Sequence, residues 1–111
     1  MSECIFCKIA SGALETKAVH SDERTFVFHD IAPQAPTHLL VIPKTHVEKL
    51  SDLDPEDMKA VHSAILKVVS DLKLDEAGYR VVVNQGKSAG QAVSHLHFHV
   101  LSGRNFKWPP G

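Results

Sequence analysis

Three histidines alternate with three apolar residues in the run His95–Val100, near the end of this 111-residue chain. Side chains two residues apart share one face of a β-strand, so His95, His97 and His99 are predicted to point to one side of a sheet. The apolar residues between them would then face a core. A row of imidazoles is costly to bury unless each ring has a partner, so this strand predicts a functional site. An inert strand face is the alternative interpretation.

The remainder of the chain predicts a small α+β protein. Short strands are predicted at Thr25–Phe28, His38–Ile42 and Tyr79–Val83. A helix is predicted to begin after Asp54, which can cap it, and to continue through apolar residues at helical spacing. Because the sequence contains no repeat, low-complexity stretch or long linker, residues 1–111 are predicted to form one domain.

Composition and charge exclude several classes of protein. The formal net charge is -1 with neutral histidines, so we expect no nucleic-acid partner. No apolar run is long enough to span a membrane, and the first residues lack the pattern of a signal peptide. We therefore expect a cytoplasmic protein that does not associate with membranes, in which both cysteines are reduced.

The loop Asn84–Ala92 precedes the histidine row and is rich in glycine and small polar residues. Loops of this kind can direct backbone N–H groups at an anion, and a phosphate held there would lie against the histidines. Two chemical interpretations follow. The histidines could hold a metal that activates water, or one imidazole could attack phosphorus and form a labile phosphohistidine.

The run His95–Leu101 resembles the signature of the histidine triad (HIT) family, and more closely that of its histidine triad nucleotide-binding (HinT) branch. Further blocks that resemble this branch lie along nearly the whole chain: Phe28–Ile31, Pro33–His38, Val41–Lys44, Gly78–Arg80, Val83–Asn84 and Trp108–Gly111. The resemblance implies a HIT-like fold, with a five-stranded antiparallel sheet, one long helix and a short N-terminal helix. It also implies a homodimer in which two sheets join into one of ten strands. Trp108 could pack either on its own domain or on the second subunit.

The resemblance implies that the chain hydrolyses phosphoramidate or acyl-phosphate links to AMP or GMP. His97 would be the nucleophile that carries a covalent nucleotidyl intermediate. His99 would contact the phosphate or the leaving group, and His38 would support the row from a neighbouring strand. No cofactor would be required for this chemistry. The alternatives are a nucleotide-binding regulatory module with vestigial catalysis and a diadenosine polyphosphate hydrolase.

The same resemblance implies the contacts to a purine nucleotide. Asp30 would accept from the ribose hydroxyls, with His29 and Ile31 beside it. The apolar walls around the base would be Phe6, Ile9 and Phe28. The positions near the phosphate and the leaving group would be Asn84, Gly90, Gln91, Ala92, His97 and His99.

Cys4 and Cys7 form a Cys-x-x-Cys pair, and two further ligands would complete a tetrahedral zinc site. His46 and His95 are the candidates, since related HIT proteins with this pattern use the first histidine of the triad as a ligand. On this interpretation, His95 binds structural zinc while His97 performs the chemistry. Two buried thiols that act as small apolar groups are the alternative.

Ala92 occupies a position where the HinT branch commonly has serine. Alanine keeps the backbone N–H but lacks the hydroxyl donor, and a charge-assisted hydrogen bond of this kind contributes about 1.5–3 kcal/mol. We therefore expect Ala92→Ser to leave nucleotide binding intact and to change turnover or leaving-group preference. The measurement is kcat/KM on substrates with several leaving groups, and identical values for both proteins would contradict a role for this position.

Overall fold

Five antiparallel strands form one sheet in the computed structural model, which describes residues 4–111. The strands are β1 (His20–Ser21), β2 (Thr25–His29), β3 (Thr37–Pro43), β4 (Tyr79–Val83) and β5 (Phe98–Ser102), in the order β1-β2-β3-β5-β4. The helices of the described residues are α1 (Ile5–Ser11), α2 (Pro55–Asp71) and α3 (Leu74–Ala77). The predicted α+β fold, with its long helix and short N-terminal helix, is confirmed.

Strand β5 begins at Phe98, three residues later than the alternating pattern predicts. Its pairing with β3 places Val41 opposite Phe98, so a longer ladder would bring Pro43 opposite Leu96. Proline has no N–H to continue that ladder. The N–H of Leu96 instead donates to the carbonyl of Val47 at 2.7 Å. His95 and His97 therefore lie in the segment that leads into the strand.

The predicted division between apolar and histidine faces nevertheless holds. Leu96, Phe98 and Val100 pack in the core beneath α2. The rings of His97 and His99 are neighbours with centroids 5.0 Å apart, and they line a cavity on the other side of the sheet. The alternation thus sorts the side chains even where the strand pairing has ended.

The two faces of the sheet contact different helices. On one face, α2 packs against a core that includes Val27, Leu39 and Val41. The other face carries a second apolar cluster, in which α1 supplies Phe6 and Ile9 and the strands supply Phe26, Phe28, Leu40 and Ile42. Helix α1 thereby covers part of the face that carries the histidines.

The beginning of α2 follows the predicted capping pattern. Asp54 precedes the helix, and its carboxylate accepts from the N–H of Glu56 at 2.8 Å. Pro55 occupies the first turn, where its missing N–H leaves no hydrogen bond unmade. No helix among residues 4–111 has the length and apolar character needed to cross a bilayer.

Asp22 organises the turn between β1 and β2. Its carboxylate accepts from the N–H groups of Arg24 (2.9 Å) and Thr25 (2.7 Å), from the Thr25 hydroxyl (2.6 Å) and from Nε2 of His20 (2.8 Å). Burial raises the pKa of Asp22, but these hydrogen bonds outweigh it and lower the pKa to about 2.

We expect Asp22→Ala to lower the free energy of unfolding by about 1–2 kcal/mol, because several donors lose their acceptor and partial exposure of the carboxylate weakens each bond. The folded-state pKa lies below the unfolded value of about 3.9, so this contribution is complete above about pH 4 and is lost as the pH falls toward 2. Denaturant unfolding of both proteins between pH 2 and 7 measures it.

Asp71→Ala is the control, since its carboxylate pairs with Lys67 on an exposed face of α2. The expected change is below about 0.5 kcal/mol. The role of Asp22 would be contradicted if both variants lost the same free energy of unfolding. It would also be contradicted if the parent and Asp22→Ala still differed in free energy of unfolding by the full amount at pH 2.

Candidate active site

A cavity of about 450 Å³ lies on the histidine face of the sheet. His97 and His99 line it together with Asp30. Most of the remaining wall is apolar, formed by Ile5, Phe6, Ile9, Leu14, Phe28, Ile31, Leu40, Ala92 and Val93. An apolar cavity with a few convergent polar groups is the usual form of a small-molecule site.

The cavity contains many, but not all, of the residues that the sequence predicts for nucleotide binding. Those that line it are His29, Asp30, Ile31, Ala92, His97 and His99, with Phe6, Ile9 and Phe28 in the predicted apolar wall. Asn84 instead lies beside Trp108 in a groove along β4. The amide of Gln91 bonds to backbone groups, since it accepts from the N–H of Gly86 in its own loop (2.8 Å) and donates to the carbonyl of Glu48 in the loop after β3 (3.0 Å). Roles for Asn84, Gly90 and Gln91 stay predictions.

Five lining residues were not predicted: Ile5, Leu14, Thr16, Leu40 and Val93. Two of them could have been predicted from the sequence. Leu40 lies two residues after His38, and Val93 lies two residues before His95, so each continues the alternation that places the histidines. Leu14 and Thr16 follow α1 without any comparable pattern.

The ring of His97 is held in one orientation. Its Nδ1 lies 2.8 Å from the carbonyl oxygen of His95. A carbonyl can only accept, so Nδ1 carries the proton and Nε2 retains its lone pair. The Phe6 ring packs edge-on against it, with the two ring centroids 5.2 Å apart, and His97 is only 6% exposed. An imidazole fixed in this way can attack an electrophile through Nε2.

His38 and His99 form a hydrogen-bonded pair next to His97. Nδ1 of His38 accepts the backbone N–H of Gln34 at 2.9 Å, so the His38 proton lies on Nε2. That proton is donated to Nδ1 of His99 at 2.8 Å, which leaves the His99 proton on Nε2. Asp30 lies beside the pair, with its Oδ2 3.4 Å from Nε2 of His38.

Both imidazoles of this pair are neutral at pH 7. Burial lowers the pKa of His38, and the Asp30 carboxylate opposes this only in part. Burial also lowers the pKa of His99 to about 4, with His97 and His38 acting in the same direction and Asp30 against it. The proton on Nε2 of His99 is therefore a hydrogen-bond donor on a neutral ring.

Four further donors converge beside α1. One ligand atom from each of Cys4, Cys7, His46 and His95 lies within 4.8 Å of the others. Nδ1 of His95 lies 3.4 Å and 3.6 Å from the two sulfurs, and Nδ1 of His46 lies 3.2 Å from Cys7 Sγ. Zn–S bonds of about 2.3 Å and Zn–N bonds of about 2.0–2.1 Å place tetrahedral S and N ligands about 3.6 Å apart. The residues therefore fit a tetrahedral zinc ion.

The orientation of His95 also suits a metal ligand. Its Nε2 donates to the carbonyl of Pro43 at 2.8 Å, so Nδ1 retains a lone pair on the side of the thiols. Metal-binding histidines commonly donate their other ring N–H in this manner. His95 and His97 thus belong to different groups of contacts, although they are only two residues apart.

Comparison with known proteins identifies the family of the chain. The model of the HIT domain family matches residues 11–106. The chain is 41% identical to an uncharacterised HIT-like protein of Synechocystis, over 98% of this chain and 97% of that one. A crystal structure of a HIT family hydrolase from Legionella pneumophila has a TM-score of 0.89 at 42% identity, covering 98% of this chain and 100% of that one. A histidine triad nucleotide-binding protein of Candida albicans has a TM-score of 0.86 at 35% identity, covering 98% and 85%. The predicted family is confirmed, and this chain belongs to the HIT domain family.

Proposed function

We propose that this protein hydrolyses purine nucleoside phosphoramidates, and the related acyl adenylates, through a covalent nucleotidyl-His97 intermediate. The observation that carries the proposal is the pair of opposite tautomers in the cavity. His97 has a free lone pair on Nε2, and the neighbouring His99 has a proton on Nε2. The Legionella and Candida relatives are named as a hydrolase and a nucleotide-binding protein, respectively, which supports hydrolysis and nucleotide binding in general.

The shape of the cavity suits a nucleoside monophosphate. The aromatic rings of Phe6 and Phe28 lie edge to face at 5.6 Å and provide an apolar surface for a purine base. Asp30, which lines the cavity and has its Oδ2 3.4 Å from Nε2 of His38, would be an acceptor for ribose hydroxyls. With the base and ribose held there, the phosphate would lie against His97.

The proposed reaction has two steps. In the first, Nε2 of His97 attacks phosphorus, the P–N bond to the leaving amine breaks, and the amine departs with a proton. The N–H on His99 Nε2 can stabilise charge that develops on a phosphate oxygen. Because the His99 ring is neutral, the proton that leaves with the amine comes from the protonated phosphoramidate itself or from water. In the second step, water attacks phosphorus, the P–N bond to His97 breaks, and the nucleoside monophosphate is released.

The test is rapid quenching with a labelled adenosine phosphoramidate, followed by mapping of the labelled residue. We expect transient label on His97 in the parent. Since the nucleophile is lost, His97→Ala should reduce turnover by at least about 10³-fold. His62→Ala is the matched control, because His62 is exposed on α2, and it should turn over at the parental rate.

The outcomes separate the alternatives. Nucleotide binding without turnover in the parent would favour a regulatory module with vestigial catalysis. Faster cleavage of diadenosine polyphosphates than of phosphoramidates would favour the neighbouring hydrolase class. Label on another residue would contradict the assigned nucleophile.

We also propose that Cys4, Cys7, His46 and His95 hold a structural zinc ion. Zinc would supply cross-linking rather than chemistry at this position, since all four ligand places are filled by protein. The ligands come from α1, from the loop after β3 and from the segment before β5. Fixing His95 would in turn fix the carbonyl that orients His97.

Zinc content and stability test this proposal. We expect about one zinc per chain in protein purified without chelator, and we expect Cys4→Ser to lower both the zinc content and the unfolding temperature because a tetrahedral ligand is lost. His97→Ala, which keeps all four ligands, should retain the metal. Unchanged metal content and stability in Cys4→Ser would rule out the zinc site.

We further propose that the chain forms a homodimer through β4. This strand lies at the edge of the sheet and pairs only with β5 among residues 4–111. Val81 in its centre is 42% exposed, and the nearby Trp108 is 82% exposed. An apolar edge next to an exposed tryptophan favours pairing with a second copy.

Sedimentation equilibrium measures the mass of the protein in solution, and we expect the mass of two chains. The mass of a single chain at high protein concentration would contradict the dimer.

A further inference from the structure

The backbone of Gln34 links the histidine pair to the turn after β5. Its N–H donates to Nδ1 of His38 at 2.9 Å, and its carbonyl accepts from Nε of Arg104 at 2.8 Å. One residue of the loop between β2 and β3 is thus held from two sides. One partner belongs to the candidate active site, and the other is an arginine that does not line the cavity.

Arg104 is itself held in place. Its guanidinium carbon lies 4.3 Å from the centroid of the Phe106 ring, within the range of a cation–π contact. The preceding Gly103 has φ +101°, and a Cβ at that position would lie 2.8 Å from Cβ of Pro36. The turn therefore packs directly against the loop that carries Gln34, and both ends of the Arg104 contact are fixed.

The hydrogen bond between His38 and His99 can form in two ways. In the first, Nε2 of His38 donates to Nδ1 of His99. In the second, the donor and acceptor exchange, and the His38 proton moves to Nδ1. There it would face the N–H of Gln34, with two donors opposed across 2.9 Å. The Gln34 contact therefore favours the first arrangement, which is the one that leaves a proton on Nε2 of His99. The Asp30 carboxylate, 3.4 Å from Nε2 of His38, acts in the same direction.

We propose that Arg104 is a positioning residue: by fixing the Gln34 backbone, it helps to select the tautomers of His38 and His99 and keeps a hydrogen-bond donor at Nε2 of His99. The catalytic consequence rests on the proposed function, because this donor matters where charge develops on a phosphate oxygen. The tautomers themselves are a property of the free protein.

Arg80 provides a matched control. Its guanidinium carbon lies 5.1 Å from the centroid of the same Phe106 ring, but its Nη2 donates to the carbonyl of Lys107 at 3.2 Å. Arg104→Met and Arg80→Met thus remove the same group from the same ring, and they differ in the contact to Gln34. Unfolding temperatures verify that both variants fold. Arg104→Lys, which keeps the charge but lacks the planar N–H fork, replaces Arg104→Met if that variant does not fold.

The first measurement is an imidazole ¹H–¹⁵N correlation spectrum of protein labelled with ¹⁵N-histidine. In the parent and in Arg80→Met, we expect the protons of His38 and His99 on Nε2. In Arg104→Met, both rings should show mixed populations of the two tautomers. Spectra of Arg104→Met that match those of the parent would overturn the proposal, whatever the activity.

The second measurement is turnover of nucleoside phosphoramidates with amine leaving groups of increasing basicity. We expect Arg104→Met to lower kcat roughly 10-fold with little change in KM, as is usual when the partner that orients a functional histidine is lost. Arg80→Met should retain the parental kcat. Equal kcat values in the two variants, despite altered tautomers, would overturn the catalytic consequence. A parent without turnover, combined with altered tautomers in Arg104→Met, would contradict the proposed function and support the role of Arg104 in the free protein.

Discussion

The hydrogen bond from Nδ1 of His97 to the carbonyl of His95 is the interaction on which the rest of the site depends. It decides which nitrogen of His97 has a lone pair. It also joins the His97 imidazole to the group of thiols and imidazoles beside α1, because the carbonyl that accepts this hydrogen bond belongs to His95, a member of that group. Since His95 is fully buried and its own ring is bonded to Pro43, the acceptor has little freedom to move.

His38 and His99 act as neutral rings. Burial dominates the pKa of His38 and of His99, and the Asp30 carboxylate is too weakly coupled to reverse its effect. An anionic phosphate in this cavity would therefore meet N–H donors rather than a cluster of positive charge. Such donors are present only if each ring carries its proton on the correct nitrogen. The backbone contacts of His38 and His97 set those positions, and so they matter for function as much as the side chains do.

The sequence predicts the parts of this structure that follow from periodicity. The alternation around Phe98 places side chains on the correct faces of the sheet, and the capping residue Asp54 marks the beginning of α2. The late beginning of β5 could not be predicted, because it depends on how Pro43 meets a segment more than 50 residues away. The contact between Gln34 and Arg104 joins residues 70 positions apart and involves a backbone carbonyl, for which residue type carries no signal.

Loop positions were the least predictable part of the candidate site. The amide of Gln91 can bond either to a ligand or to nearby backbone groups, and one of those groups belongs to Glu48, 43 residues away. Asn84 leaves the sheet at the end of β4, where a side chain can turn toward either the cavity or the outer edge. The apolar wall shows the opposite behaviour, since Leu40 continues the spacing of His38 and could have been found by extending the same rule.

The two-faced sheet has a consequence for how this chain can change over evolution. The packing beneath α2 and the cavity lie on opposite sides of β2 and β3, so substitutions at residues such as Val61 or Ile65 act on the folding equilibrium without reaching the cavity. Thermal tolerance and the lining of the cavity can thus diverge independently in the helices. The strands are the exception, since successive residues of β2, of β3 and of the segment from His95 to Val100 alternate between the two faces, and an insertion of a single residue there would exchange the faces.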